Sequence, residues 1–152
     1  MRRVEPYAPE HAGQINLNPM QARELACRSQ VEVIDSFARG GPSFTLRDRH
    51  GAILMIGGLL TVAPGYALGW AFLSAHSGRH MRWITGRVRG YLAMAAPRWR
   101  RIEVSARADF APAPKWARML GLDFEGTVRA ALPDGGDVQR FARINSEWEA
   151  AA

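Results

Sequence analysis

Acidic side chains are missing from the middle of this chain: no Asp or Glu occurs between Asp48 and Glu103. Cysteine is nearly absent as well. Cys27 stands alone, so no internal disulfide can form and nothing argues for an oxidising compartment. Only four His accompany it, without metal-ligand spacing, so no metal site is expected. Lysine is reduced to Lys115. Arg2 and Arg3 are followed by no apolar segment, so no secretory signal is expected at this end. Repeats, low-complexity tracts and linkers are absent too, and 152 residues is an ordinary size for one core.

What is present in the acid-free stretch is arginine. Seven Arg fall between Arg79 and Arg101, and the net charge of the chain is +6. Arginine favours planar, bidentate contacts to phosphate and carboxylate. A GC-rich genome that encodes arginine by default is the plain alternative.

A second stretch lacks charge of either sign. GAILMIGGLLTVAPGYALGWAFLSAHSGRH, from Gly51 to His80, has no charged residue before Arg79. That is long enough to cross a bilayer. However, Gly57-Gly58, Pro64-Gly65 and Gly69 interrupt it, and Pro-Gly near the middle reads as a turn. Two strands, roughly 52–62 and 66–74 and buried on both faces, are therefore expected instead of a membrane span.

The remaining elements follow from local signals. MRRVEPY is a short first strand. Asn18-Pro19-Met20-Gln21 caps one helix, and Ser29-Gln30-Val31-Glu32 caps a second that ends at Gly40-Gly41. PSFTLRD is a strand closed by a turn at Arg49-His50-Gly51. From Ser77 to Ala96 the period becomes helical: Met81, Ile84, Val88, Tyr91, Leu92 and Ala95 share a stripe, with Arg79, Arg82, Arg87 and Arg89 around the other side. Pro97 stops this helix. Residues 101–108 alternate as a strand, with Ile102, Val104 and Ala106 on one face and Glu103, Ser105 and Arg107 on the other. A short helix over 112–120 stops at Gly121, and a hairpin turning at Pro-Asp-Gly-Gly closes the chain. This order predicts one α/β domain over 1–152: a mixed sheet of about six to seven strands with helices on both faces.

One block, RRIEVSARADFAPAPKWARMLGLDFEGTVRAALPDGGDVQRFARI, resembles the GCN5-related N-acetyltransferase (GNAT) superfamily. The resemblance rests on the strand Ile102 to Asp109, the helix ending Leu120-Gly121-Leu122, Glu125-Gly126 with Arg129, the Asp134-Gly135 turn and the final strand Val138 to Ile144. It covers about a third of the chain and implies a GNAT-like fold and an acetyl-CoA cleft. The superfamily's pyrophosphate motif, Gln/Arg-x-x-Gly-x-Gly/Ala, falls here on Ser74-Ala75-His76-Ser77-Gly78-Arg79-His80-Met81-Arg82, where Gly78 remains but the glycine pair does not. Asp109 replaces the usual Asn, and Ala117 replaces the Tyr that often serves as general acid. The Ile56-Gly57-Gly58 strand, the Trp-Ala-Phe-Leu-Ser strand end and the glycine-poor basic helix are similar to a phage-encoded group, the internal virion protein A type of short-tailed phages. That second resemblance implies a phage protein of the virion or host cytoplasm, oligomeric with other virion or assembly proteins, whose cleft has degenerated. An active acetyl-CoA-dependent N-acetyltransferase is the alternative.

The resemblance implies that Ser74, Ser77, Gly78, Arg79, Arg82 and Asp109 bind the cofactor at a helix N-terminus. The plain reading makes Ser77 a side-chain cap, the arginines a solvated face and Asp109 the cap of the following helix. Amine acetylation also needs a group to take the ammonium proton. The candidates are His76, His80 and Glu103, against surface positions for both histidines and a solvent-facing one for Glu103. Arg79, Arg82, Arg87 and Arg89 with Trp83 also suit nucleic-acid phosphates, but no nucleic-acid-binding signature accompanies them, so a nucleic-acid partner is not expected. Trp70, Trp83, Trp99, Trp116 and Trp148 are more than a core of this size needs. They are open to core and interface roles alike, as is the terminal segment SEWEAAA.

Overall fold

The computed structural model describes residues 1–150; the last two alanines of SEWEAAA lie outside the described residues. The elements are β1 (Arg3–Pro6), α1 (His11–Gln14), α2 (Pro19–Glu24), α3 (Gln30–Arg39), β2 (Ser43–Arg47), β3 (Ile53–Ala63), β4 (Tyr66–Leu73), α4 (Met81–Ala95), β5 (Arg101–Arg107), α5 (Pro112–Met119), β6 (Asp123–Val128) and β7 (Val138–Ile144). A 3₁₀ turn, Gly78–His80, leads directly into α4. The seven strands form one mixed sheet in the order β1-β2-β3-β4-β5-β7-β6, so this is an α/β fold. Only α1 has no counterpart in the sequence reading. Its four residues are too few to show a period.

Residue contacts divide the chain into two compact units. The first holds Met1–Leu60 and Gly69–Ile84. β1 and β2 pair antiparallel, as do β2 and β3. Ala12, Ile15, Leu17, Leu25, Ile34, Ile53, Ile56 and Phe72 form its core, with Trp70 and Phe37 packed against them. Two glycines are demanded by this packing. A Cβ on Gly58 would lie 2.3 Å from the Pro42 carbonyl oxygen, and one on Gly57 3.0 Å from that of Trp70. The glycines that spoil a membrane helix are thus the ones that let strands and Trp70 close up. Among the described residues, no helix is long and apolar enough to cross a membrane.

Burial on both faces holds for Ile53 to Leu59 but not beyond: Thr61, Val62 and Ala63 are exposed, and most of β4 is half-buried. A run of apolar letters records composition, whereas burial depends on which neighbours cover each face.

The second unit holds Thr61–Leu68 and the described residues from Thr85 onward. Tyr66, Ala67 and Leu68 pair in parallel with Arg101, Ile102 and Glu103. β7 lies antiparallel between β5 and β6. α5 packs on these three strands, burying Ala117 and Leu120, while Phe141 of β7 is fully buried. Gly121 takes φ +86° where the helix stops, as its place after the last periodic residue predicts. The Glu125-Gly126 pair has a physical reason: the β6–β7 register shifts between Phe124 and Gly126, and Gly126 adopts φ +152° there.

Candidate functional site

The loop between β4 and α4 is held by its own main chain. The Ser74 N–H donates to the Leu54 carbonyl at 2.9 Å, the Ala75 N–H to the Asn16 carbonyl at 2.8 Å, and the Ser77 N–H to the Ser74 carbonyl at 3.2 Å. The His80 N–H donates to the Ser77 carbonyl at 2.8 Å, closing the 3₁₀ turn. Gly78 and Arg79 open this helical run, so their N–H groups precede any intrahelical acceptor, and the helix dipole adds positive potential there. A Cβ placed on Gly78 would meet nothing within 4 Å, and its φ is not positive. Neither packing nor backbone conformation therefore requires a glycine at this position. Arg79 and Arg82 are exposed, and neither is ion-paired among the described residues.

Ser77 does not cap through its side chain. Its dihedrals are helical (φ −69°, ψ −24°), whereas a side-chain cap needs an extended residue, and it is buried with no cap hydrogen bond. Ser74 is also buried, and its Oγ accepts from the His76 N–H at 3.2 Å, so it shapes the loop from within.

Residues 16 to 21 position this loop, a role the sequence did not reveal. The Asn18 N–H and Nδ2 both donate to the Leu73 carbonyl, at 2.9 and 2.8 Å. Gln21 reads the same strand as a backbone would: its Nε2 donates to the Ala71 carbonyl at 2.7 Å and its Oε1 accepts from the Leu73 N–H at 2.8 Å. The expected cap is present too, since Asn18 Oδ1 accepts from the Gln21 N–H at 3.0 Å. Local capping was legible in Asn-Pro-x-Gln, and the grip on β4, some fifty residues away, was not.

The three candidate bases end in different surroundings. His76 is exposed, as its plain reading expected, with its Nε2 3.2 Å from Asn16 Nδ2. His80 is half-buried instead of lying at the surface. Its Nδ1 is buried without a hydrogen-bond partner, and burial followed by the charge of Arg2 lowers its pKa. Glu103 does not face solvent. It is 5% exposed, and its carboxylate accepts from the Tyr66 hydroxyl at 3.1 Å, from Arg101, and from Arg140 at 3.3 Å. Arg101 also bridges to Glu125, holding that carboxyl below its usual range. The alternation of β5 placed Glu103 correctly opposite Ile102. That side of the strand is nevertheless covered, by charged groups that neutralise it.

Asp109 does not cap α5. The N-cap position is Ala111, which has helical dihedrals and no side-chain bond. Asp109 instead accepts from Arg107 Nε at 2.6 Å, and Arg107 reaches on to Asp134 in the turn before β7. An arginine two residues upstream on the strand outcompetes the helix for the carboxylate. The Tyr-to-Ala change at Ala117 buries a small side chain, and the neighbouring Trp116 donates through Nε1 to Thr85 Oγ1 at 2.9 Å. All five tryptophans are half-buried, so none is a fully enclosed core residue. No cluster of three metal-binding side chains occurs among the described residues.

No protein-family model and no curated protein sequence matches the chain. Solved structures do match it, over nearly its whole length. Ard1 from Thermoplasma volcanium superposes with a TM-score of 0.77 at 13% identity, covering 96% of this chain and 99% of that one. A GNAT superfamily phosphinothricin acetyltransferase from Sinorhizobium meliloti, solved in complex with AcCoA, gives 0.70 at 15% identity, covering 99% and 92%. Ribosomal-protein-S5-alanine acetyltransferase from Vibrio fischeri gives 0.68 at 16% identity, covering 97% and 95%. The fold is that of GNAT acetyltransferases.

Proposed function

We propose that this protein is an acetyl-CoA-dependent N-acyltransferase whose loop 74–82 holds the phosphates of the acyl donor. The carrying observation is Gly78. It is a glycine that the fold itself does not need, placed with open space above it at the first orphan N–H groups of a long helix. Gly86 and Gly90 are equally open but lie inside the helix; at Gly78 the open space faces the helix N-terminus, where a ligand approaching the backbone closely would use it. Arg79 and Arg82 flank it without carboxylate partners, in a stretch that has no acid from Arg49 to Arg101. Gly78, Arg79 and Arg82 would hold the donor. Ser74 and Ser77 shape the loop, and Asp109 takes no part. The donor supplies a thioester carbonyl: a neutral amine attacks it, the C–N bond forms as the C–S bond breaks, and the leaving thiolate takes up the proton that the nitrogen loses, giving amide and thiol.

The test is acetyl-CoA titrated into the full chain by calorimetry, with Gly78→Ala in parallel. Saturable 1:1 binding that weakens roughly tenfold in Gly78→Ala, with thermal stability equal to or above the parent, is the expected result. Absence of heat at millimolar ligand ends the proposal.

A second reading, a non-catalytic member of a particle or assembly built on the same fold, is favoured by two observations. The polar groups of Ala71 and Leu73 on β4, where an amide-bearing ligand could lie like an added strand, already serve Gln21 and Asn18. In addition, Glu103 is neutralised and Ala117 cannot donate a proton. Binding of acetyl-CoA without transfer to any of a panel of amines would favour this reading, and turnover would end it.

A further inference from the structure

The later turns of α4 carry arginines that the acyl-donor loop leaves unused. Arg87, Tyr91 and Met94 recur at i, i+4 and i+7, so they share one face of the helix, and Met94 is 76% exposed there. Val88 and Leu92, on the adjoining face, are buried in the core. The helix runs on into a 3₁₀ turn, Ala96–Arg98, and Arg100 follows just before β5. The segment after β7 is pinned across this link. The Asn145 N–H donates to the Arg100 carbonyl at 2.8 Å, its Nδ2 to the Ala96 carbonyl at 3.4 Å, and Trp148 Nε1 to the Arg98 carbonyl at 3.1 Å. Trp148 is thereby brought under Arg100, whose guanidinium lies 5.4 Å from the ring centroid, a stack that fixes its direction without neutralising it. Arg98 is close enough to act electrostatically on the Tyr91 hydroxyl. One surface of the second unit thus joins Arg87, Arg98 and Arg100 to Tyr91, Met94 and Trp148. All three arginines are exposed and have no ion pair among the described residues. The acids nearest to them in the chain leave them so: Glu103 is taken by Arg101 and Arg140, and neither Glu147 nor Glu149 forms an ion pair among the described residues. Gathered arginines with no counter-charge repel one another, a cost that a polyanion removes.

We propose that this surface binds single-stranded nucleic acid, with phosphates held by Arg87, Arg98 and Arg100 and unpaired bases lying against Met94 and the exposed parts of Tyr91 and Trp148. The sequence gave no nucleic-acid-binding signature, because the surface is assembled from a helix, a turn and a segment about fifty residues later. The planar forks of arginine suit phosphate oxygens. Aromatic and apolar groups set among them suit bases whose faces are open, which a duplex does not offer. An anionic membrane surface fits less well, since it takes up an apolar helix face and that of α4 is spent in the core. None of these residues belongs to loop 74–82, and the proposal stands whether or not the chain binds an acyl donor.

The probe is a short labelled oligothymidylate, titrated with the full chain by fluorescence anisotropy between about 50 and 200 mM salt. Saturable binding is expected, with a slope of log K against log salt of about −2, since three phosphates each contribute about −0.7 on a single strand. Arg87→Gln and Arg98→Gln should each weaken binding about threefold and flatten that slope by about 0.7. Met94→Glu, which sets a negative charge in the patch without touching the core, should weaken it by about tenfold. Arg23→Gln removes the same charge from α2 and should change affinity less than about twofold. Circular dichroism checks that every variant folds. The proposal is overturned by absence of saturable binding, or by equal losses in Arg23→Gln and Arg87→Gln, which would mark net charge alone. It is overturned equally if a DNA duplex or polyglutamate binds as tightly as oligothymidylate, or if the chain sediments with phosphatidylserine vesicles while leaving the oligonucleotide free. Acetyl-CoA is titrated separately into the same variants and should keep its affinity; a loss shared in full would assign these arginines to the acyl donor and end the proposal.

Discussion

A histidine whose pKa is lowered in the folded protein binds its proton more readily once the chain unfolds, and His80 is such a residue. The unfolded state therefore holds more protons than the folded one below about pH 6.5, the ordinary value. Stability is full above that pH and falls as the pH drops toward the folded pKa. Urea midpoints are expected to decrease between pH 7 and pH 5, and His80→Gln should flatten that slope. An unchanged slope would mean that His80 is not the residue responsible. Glu103 makes the opposite point. A carboxylate with three donors around it is a structural charge, so Glu103→Ala should cost about 1–3 kcal/mol by removing the acceptor shared by Tyr66, Arg101 and Arg140, of which Arg101 keeps Glu125. Acetyl-CoA affinity should stay the same. A stable Glu103→Ala protein with lost turnover would restore Glu103 to the chemistry.

At the scale of elements, α4 and the turn before β4 carry separate expectations. Gly86 and Gly90 sit inside α4 with nothing within 4 Å of a built Cβ, and glycine in a helix interior costs about 0.5–1 kcal/mol against alanine. Gly90→Ala should raise the melting temperature by a few degrees. A decrease would show that a partner or neighbour uses that surface. Gly65 is the reverse case. Its φ is +77°, and a Cβ would lie 2.8 Å from the Trp148 ring, so Gly65→Ala should cost about 1–3 kcal/mol in denaturant melts. Trp148→Ala should relieve part of that loss in the double variant, because the clash would be gone and only the backbone strain would remain. The Pro-Gly turn was legible from two letters, but that a tryptophan more than eighty residues later covers it was not. The same contrast runs through Asn18 and Gln21, read correctly as a cap and found also gripping β4.

At the scale of the whole molecule, ligand binding to the folded state alone adds stability by mass action, about 2.7 kcal/mol at a hundredfold excess over Kd. For a chain of this length that is a rise in melting temperature of roughly 5–10 °C with saturating acetyl-CoA. Scanning calorimetry with and without ligand measures it, and a flat response at millimolar acetyl-CoA would leave the fold standing without the acyl donor.

The sequence by itself determined the elements. Period, capping residues and turn glycines act over a few residues, and α2 to α5 and β2 to β7 lie close to where those local signals put them. It also determined the acid-free, arginine-rich middle, since charge is a property of composition. Which charges would meet which was decided by the tertiary structure alone. Glu103 is buried among arginines, Asp109 is taken by Arg107 instead of a helix, and Arg2, Arg49 and Arg79 line one groove. Arg101–Glu103 and Arg107–Asp109 are two residues apart on one strand, but the contacts of Glu103 with Arg140, of Arg107 with Asp134 and the meeting of Arg2, Arg49 and Arg79 join residues distant in sequence, and electrostatic contact depends on distance in space, to which spacing along the chain gives no access.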